Sequence, residues 1–198
     1  MNGRHPTDED RDLTGNRDLM NIQAHTDGLV LTNDRLPTHD RAPEQELRDR
    51  LDVVETCTRM CWHTDKREWD RLRTAVFTDR VLVDYTSLDG GRPVVTTVDE
   101  LIGAWRALLG PLAATQHLLT NHLVELHGEH AVATADFQAT HLLANALGGP
   151  LWTLGGHYRF TLRRTRAGWR IDGLTMTTTW ADGNRHIMER TSTMGRNS

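Results

Sequence analysis

Two histidines, an aspartate and a tyrosine are the side chains of this sequence best placed to move protons. His141 continues the period-two series Ala131, Ala133, Ala135, Phe137 and Ala139, so it shares their face of a strand. The alanines leave room on that face. A histidine there is either a core residue satisfied by a neighbour or a general acid/base in a pocket. His117, within Thr115-Gln116-His117, shares a face with Leu119 and Leu123 and has the same two readings. Asp65 lies at a helix–helix break and is followed by Glu68. An aspartate opening a helix is most often an N-cap; its other role is to orient a histidine and raise its basicity. Tyr85 ends a strand, either as a core ring or as a donor to a substrate oxygen. Together the four could form a general acid/base set.

Motifs for other chemistries are missing. The sequence has no P-loop, no GxGxxG after a strand, no HExxH and no nucleophile elbow. His122, His127, His130 and His157 fall at turns or on charged faces and are read as surface residues. Three of them would have to converge to hold a metal, and strand parity disfavours that. Cys57 and Cys61 are four residues apart on one helix face, a poor geometry for a disulfide, and read as two small core residues. No metal and no cofactor is expected.

The elements that must position these residues follow from periodicity. Residues 1–44 are rich in Asp, Arg, Asn, Thr and Pro, with Leu29-Val30-Leu31 the one apolar cluster, and are expected to form a flexible arm. A helix follows Pro43, with Leu47, Leu51, Val54, Thr58 and Cys61 as its apolar stripe, ending near Trp62. A second helix is expected from Asp65, presenting Trp69, Leu72, Val76 and Phe77. Arg80 to Ser87 reads as a strand, and Asp89-Gly90-Gly91 with Pro93 as a loop. Thr97 and Glu100 form a capping box ahead of a helix that carries Leu101, Ile102, Trp105, Leu108 and Leu109 and stops at Gly110-Pro111. Four strands come next, at Thr115–His127, Ala131–Leu143, Trp152–Arg164 and Trp169–Trp180, joined as an antiparallel meander. Residues 182–198 read as a polar tail. Helices first and strands later imply an α+β fold, helices on one face of a curved sheet, within a single domain over 45–181.

Composition narrows the function. A net charge of -4 and a pI near 6.2 argue against a nucleic-acid footprint, which needs a basic face. No apolar run approaches a membrane span, and no secretory signal opens the chain. A cytoplasmic protein acting on a small molecule, with no nucleic-acid or membrane partner, is the expectation.

The run Asp65-Lys66-Arg67-Glu68-Trp69-Asp70-Arg71-Leu72-Arg73, with Val83-Asp84-Tyr85, resembles scytalone dehydratase, of the SnoaL-like branch of the NTF2-like superfamily. Thr115-Gln116-His117, His141 and Gly168-Trp169 extend the likeness, which covers roughly residues 47 to 180. The resemblance implies a cone-shaped NTF2-like α+β barrel whose antiparallel-rich sheet and N-terminal helices enclose a pocket. It implies Asp65 paired with His117, His141 as a second acid/base histidine, and Tyr85 as one of two tyrosines that hold a water. The other tyrosine falls on Thr64, and two polar substrate contacts fall near Gly156 and Tyr158. The acid/base residues are therefore kept while those that fit the substrate differ. This points to a related dehydratase or cyclase acting on another oxygenated, cyclic molecule, with Trp62, Trp105, Phe137, Tyr158 and Trp180 as candidate pocket walls. The other readings are an isomerase or an epoxide hydrolase on the same fold, the latter through Asp136 and Arg159, whose alternation sets them opposite His141 and Tyr158, and a non-catalytic ligand-binding module. Dimers and trimers both occur among such folds, so a homo-oligomer is expected. A hydrogen bond from His117 to Asp65, with both histidines on one cavity, separates the enzyme from the binding module.

Overall fold

The computed structural model describes residues 42–144 and 147–189. The expected arm up to Arg41 and the last residues of the tail lie outside them. The elements in order are α1 (Pro43–Asp65), α2 (Trp69–Arg71) running into a π-helical turn (Leu72–Val76), β1 (Phe77–Asp84), α3 (Thr86–Asp89), β2 (Val94–Thr97), α4 (Val98–Leu109), β3 (Ala114–His127), β4 (His130–Leu142), β5 (Leu151–Thr165) and β6 (Gly168–Gly183). They form one six-stranded sheet in the order β2-β1-β6-β5-β4-β3. The meander β3-β4-β5-β6 is antiparallel throughout, and β1 joins β6 in parallel. Among the described residues neither edge strand, β2 or β3, has a second partner, so the sheet does not close, and the fold is α+β as expected.

The inner face is the core. Ala131, Ala133, Ala135, Phe137, Ala139 and His141 of β4 are buried, as are Leu154, Tyr158, Phe160 and Leu162 of β5. The capping box of α4 forms as expected: Glu100 N–H donates to Thr97 Oγ1, while the Glu100 carboxylate accepts from Thr97 N–H. Cys57 and Cys61 are free and buried.

Three expectations about elements need correction, and one strand was not foreseen. The buried residues of α1 are Asp49, Val53, Thr56, Cys57, Met60, Cys61, His63 and Thr64, whereas Leu47 and Leu51 are about 60% exposed (60% and 61%). The apolar stripe pointed the wrong way because four buried positions, Asp49, Thr56, His63 and Thr64, are polar and each has a partner. Thr56 and Thr64 donate to the carbonyls one turn back, and Asp49 accepts from Gln45 and pairs with Arg164. The second helix is only a single turn of α2 and a π-turn. Between the loop at Asp89 to Pro93 and the capping box lies β2, an edge strand that the periodicity did not mark, with Val94 and Val95 exposed. β3 is bulged between Thr120 and Leu123, with Asn121 at φ 54, so the residues beyond it change face. Leu123 is thereby exposed, and His122, read as a surface residue, turns inward.

Past Trp180, β6 continues to Gly183, and Ile187 is fully buried, so the folded body runs beyond the expected boundary at 181. Among the described residues no helix is long and apolar enough to cross a membrane.

Candidate active site

The site is built where the C-terminus of α1 meets the start of β3. α1 ends in a Schellman arrangement: Glu68 N–H donates to the His63 carbonyl and Arg67 N–H to that of Thr64, with Arg67 at φ 59. This stop leaves Asp65 as the last helical residue. Asp65 is therefore not the N-cap of a second helix. Its carboxylate points across to β3, where Oδ2 accepts from His117 N–H at 2.7 Å. Oδ1 accepts from His117 Nδ1 at 2.7 Å and from Thr115 Oγ1 at 2.8 Å. Burial disfavours the charged form, but the bonds from His117 and Thr115 outweigh it and hold the carboxyl below its usual range. An ionised carboxylate only accepts, so Nδ1 of His117 carries a proton toward Asp65, and in the neutral ring Nε2 is then the nitrogen with the free lone pair.

His141 stands edge-on to His117, ring centroids 5.6 Å apart at 90°, and leans on Trp152 at 5.3 Å. It is 4% exposed, and its Nδ1 has no hydrogen-bond partner among the described residues. Burial, then the charge of His117, push its pKa down to about 4, so His141 is neutral near pH 7.

Both rings line one cavity of about 120 Å³. An apolar cavity of about 150 Å³ holds a benzene, so this space suits roughly one ring. Tyr85, Trp105, Phe137, Tyr158 and Thr64 also line it, and Met60, Met176 and Met188 are among the apolar side chains of its wall. Among the described residues no lysine or arginine lines it, and exposed Asp89 is its one carboxylate. Asp84 accepts from the N–H and hydroxyl of Thr86, bracing the turn that presents Tyr85. Desolvation pushes the Tyr85 and Tyr158 hydroxyls above the usual range, so both stay protonated donors. Tyr158 stacks on Phe137 at 4.5 Å. Thr64 Oγ1 donates to the Met60 carbonyl at 2.7 Å, which turns its hydrogen away from the cavity.

The structure thus brings together Asp65, His117, His141, Tyr85, Thr64, Phe137 and Tyr158, but not every expected residue. Trp62 is 59% exposed on the outer side of α1, under the Lys66 ammonium, and lines an outer cleft beside Asp65 instead. Trp180 is 47% exposed on the outer sheet face. The cause is a bulge: Gly156 pairs with Thr178 and Gly155 with Trp180, so Thr179 is the extra residue and parity reverses. The indole then covers Gly155, where a Cβ would lie 2.4 Å from it. Asp136 and Arg159 are both exposed, and Asp136 is tied to Asn121, so no Asp-Arg set faces the cavity.

Three residues were overlooked. Thr115 and Arg67 hold Asp65 from behind, and they stood in the sequence only as parts of motifs. Met188 reaches the cavity from a segment read as polar tail. Among the described residues no three His, Cys, Asp or Glu side chains are grouped to hold a metal.

Residues 45–175 match the SnoaL-like domain. The chain belongs to the SnoaL-like family. No curated protein matches it. Among solved structures, the Kfla4162 protein from Kribbella flavida is 28% identical, with a TM-score of 0.69 over 73% of this chain and 99% of that one. A protein from Novosphingobium aromaticivorans, provisionally assigned as a scytalone dehydratase, is 16% identical, with a TM-score of 0.64 over 73% and 93%. An NTF2-like superfamily protein from Salmonella enterica is 15% identical, with a TM-score of 0.56 over 70% and 92%. The last two likenesses show the fold, which is NTF2-like. The chain is thus a SnoaL-like protein with an NTF2-like fold.

Proposed function

We propose that this SnoaL-like protein is a cofactor-independent dehydratase or cyclase acting on a small oxygenated, cyclic or polyketide-like metabolite. The observation that supports the reading is the His117–Asp65 hydrogen bond, with His117 and His141 lining the same apolar cavity. Nε2 of His117 takes the proton from the carbon next to a substrate carbonyl. The developing enolate oxygen is held by a tyrosine hydroxyl, Tyr85 or Tyr158. The protonated His117 then delivers that proton to the leaving hydroxyl, so water departs as the double bond forms. Asp65 stabilises the transient imidazolium. His141, neutral and 5.6 Å away, contributes a hydrogen bond without a second positive charge. Acid/base help of this type is worth about 10²–10⁴-fold. No comparable arrangement supports epoxide hydrolysis.

The test is water loss from a panel of uncharged cyclic β-hydroxy ketones, followed by enone absorbance, for the natural protein, His117→Ala and His141→Ala. Each substitution is expected to lower kcat by about 10²-fold or more. Turnover that survives both would show the mechanism to be wrong. Ligand binding without turnover by the natural protein would favour the binding module.

A cytoplasmic homo-oligomer, dimer or trimer, belongs to the same proposal. Its support is the outer sheet face, where Leu118, Leu151 and Trp180 are about half exposed (48%, 49% and 47%). A monomeric mass by light scattering would remove it.

A further inference from the structure

We infer that Arg67 and Thr115 form a strap that fixes the plane of Asp65, and thereby holds His117 in the one tautomer whose Nε2 can act as a base. This rests on the proposed acid/base role of His117 for its functional meaning, but not for its geometry.

Asp65 Oδ2 is fastened by a backbone N–H. One fastening leaves the carboxylate free to turn about that oxygen. The second oxygen is fixed by Thr115 Oγ1. A hydroxyl has one hydrogen and can instead turn a lone pair toward the carboxylate, which would repel it. Arg67 removes that option: its Nη1 donates to Thr115 Oγ1 at 2.8 Å, occupying a lone pair and directing the hydroxyl hydrogen at Asp65. The order is Arg67 to Thr115 to Asp65 to His117, with every donor and acceptor role determined.

Arg67 is itself held by four acceptors, Thr115 Oγ1 and three carbonyls, the longest bond being from Nη1 to the Asp65 carbonyl at 3.5 Å. Nη1 also donates to the Thr64 carbonyl at 2.9 Å, and Nη2 to that of Leu109 at 2.7 Å, the last residue of α4. One guanidinium thus joins the ends of α1 and α4 to the start of β3. Only a planar fork with several donors spans these acceptors, and a lysine ammonium would not. The backbone gives a second, independent sign. Arg67 occupies the left-handed position of the Schellman stop, where glycine is unstrained and other residues are not. An arginine there accepts that strain, and its side chain is wholly engaged in the strap. Arg67 and Thr115 are positioning residues, since neither lines the cavity.

The experiment reads the His117 ring by long-range 1H–15N NMR in the ligand-free protein, so no substrate is needed. The natural protein is expected to show neutral His117 as the Nδ1–H tautomer. Thr115→Val, near-isosteric but without the hydroxyl, and Arg67→Gly, which relieves the backbone while removing the strap, should give a mixture of tautomers. Thr115→Ser should restore the natural spectrum, which a packing role for Thr115 would not do. With a substrate, kcat should fall about tenfold in Thr115→Val with KM changed less than about twofold. Melting curves identify any variant that fails to fold, and the Val and Ser pair then decides alone. Unchanged His117 tautomer shifts in folded Thr115→Val and Arg67→Gly would overturn the inference. A tautomer change alongside full turnover by His117→Ala would uphold the strap and sink the dehydratase reading.

Discussion

At the scale of single residues, Asp65 and His141 do opposite things with charge. Asp65 is kept ionised by three donors despite its burial, while His141 is kept neutral by burial and by its neighbour. Removing the charge from Asp65 without changing its shape therefore tests its role. Asp65→Asn presents an amide that can donate to Nδ1 of His117 and so favours the Nε2–H tautomer, which has no base toward the cavity. We expect kcat to fall by about 10²–10⁴-fold, with the melting temperature little changed. His141 leaves its signature in stability. Its folded pKa of about 4 lies below the unfolded value near 6.5. Between those values the unfolded chain takes up the extra proton. The stability is full above about pH 6.5 and declines as the pH falls toward 4, by about 3 kcal/mol at most. Half-buried His122, also lowered by burial, adds to the same slope. Urea unfolding at pH 7, 5.5 and 4.5 should show the decline, and His141→Gln should make it shallower. An equal slope in both proteins would contradict the burial of His141.

Among the elements, what could be read from the sequence depended on how local the deciding force was. The inward series of β4 was legible, because strict alternation over a strand records its burial directly. The capping box of α4 was legible for a similar reason: its bonds span three residues. The orientation of α1 was not, because its buried face includes Asp49, Thr56 and Thr64, whose partners make burial tolerable and which an apolar count ignores. The face of Trp180 was not, because one extra residue at Thr179 reverses parity and nothing in a period-two reading marks it. The pairing of Asp65 with His117 joins residues 52 apart, so the residue types alone left it open and only resemblance pointed to it. The corrected face of α1 is testable. Leu51→Glu should change stability by no more than about 0.5 kcal/mol, whereas Val53→Ala, at a position with no exposure, should cost about 1–3 kcal/mol. A larger loss from Leu51→Glu would restore the stripe expected from periodicity. Asn121→Gly should be neutral or slightly stabilising, since φ 54 is a conformation that glycine adopts without strain.

Across the whole molecule, polar groups are divided between the two ends of the sheet. At the end where β4 passes into β5, His117 and His141 border a cavity. At the other, near the β3–β4 and β5–β6 turns, the core is sealed by an ion pair. Asp49 of α1 has no exposure and pairs with Arg164 of β5, whose guanidinium lies 4.4 Å over Trp169 and 3.5 Å from Glu129. This pair joins the first helix to the last hairpin. Breaking it from one side should be costly, because the remaining charge is left against the core. Asp49→Ala is expected to cost about 3–5 kcal/mol in urea unfolding. The double substitution Asp49→Leu with Arg164→Met should cost far less, since neither charge is then buried unpaired. Because the pair and the site lie at opposite ends, the His117 tautomer should be unchanged in every variant that stays folded. A shift of the His117 signals in folded Asp49→Ala would mean that α1 moves as a rigid lever and carries Asp65 with it. A loss below about 1 kcal/mol would mean that the ion pair does not close this end.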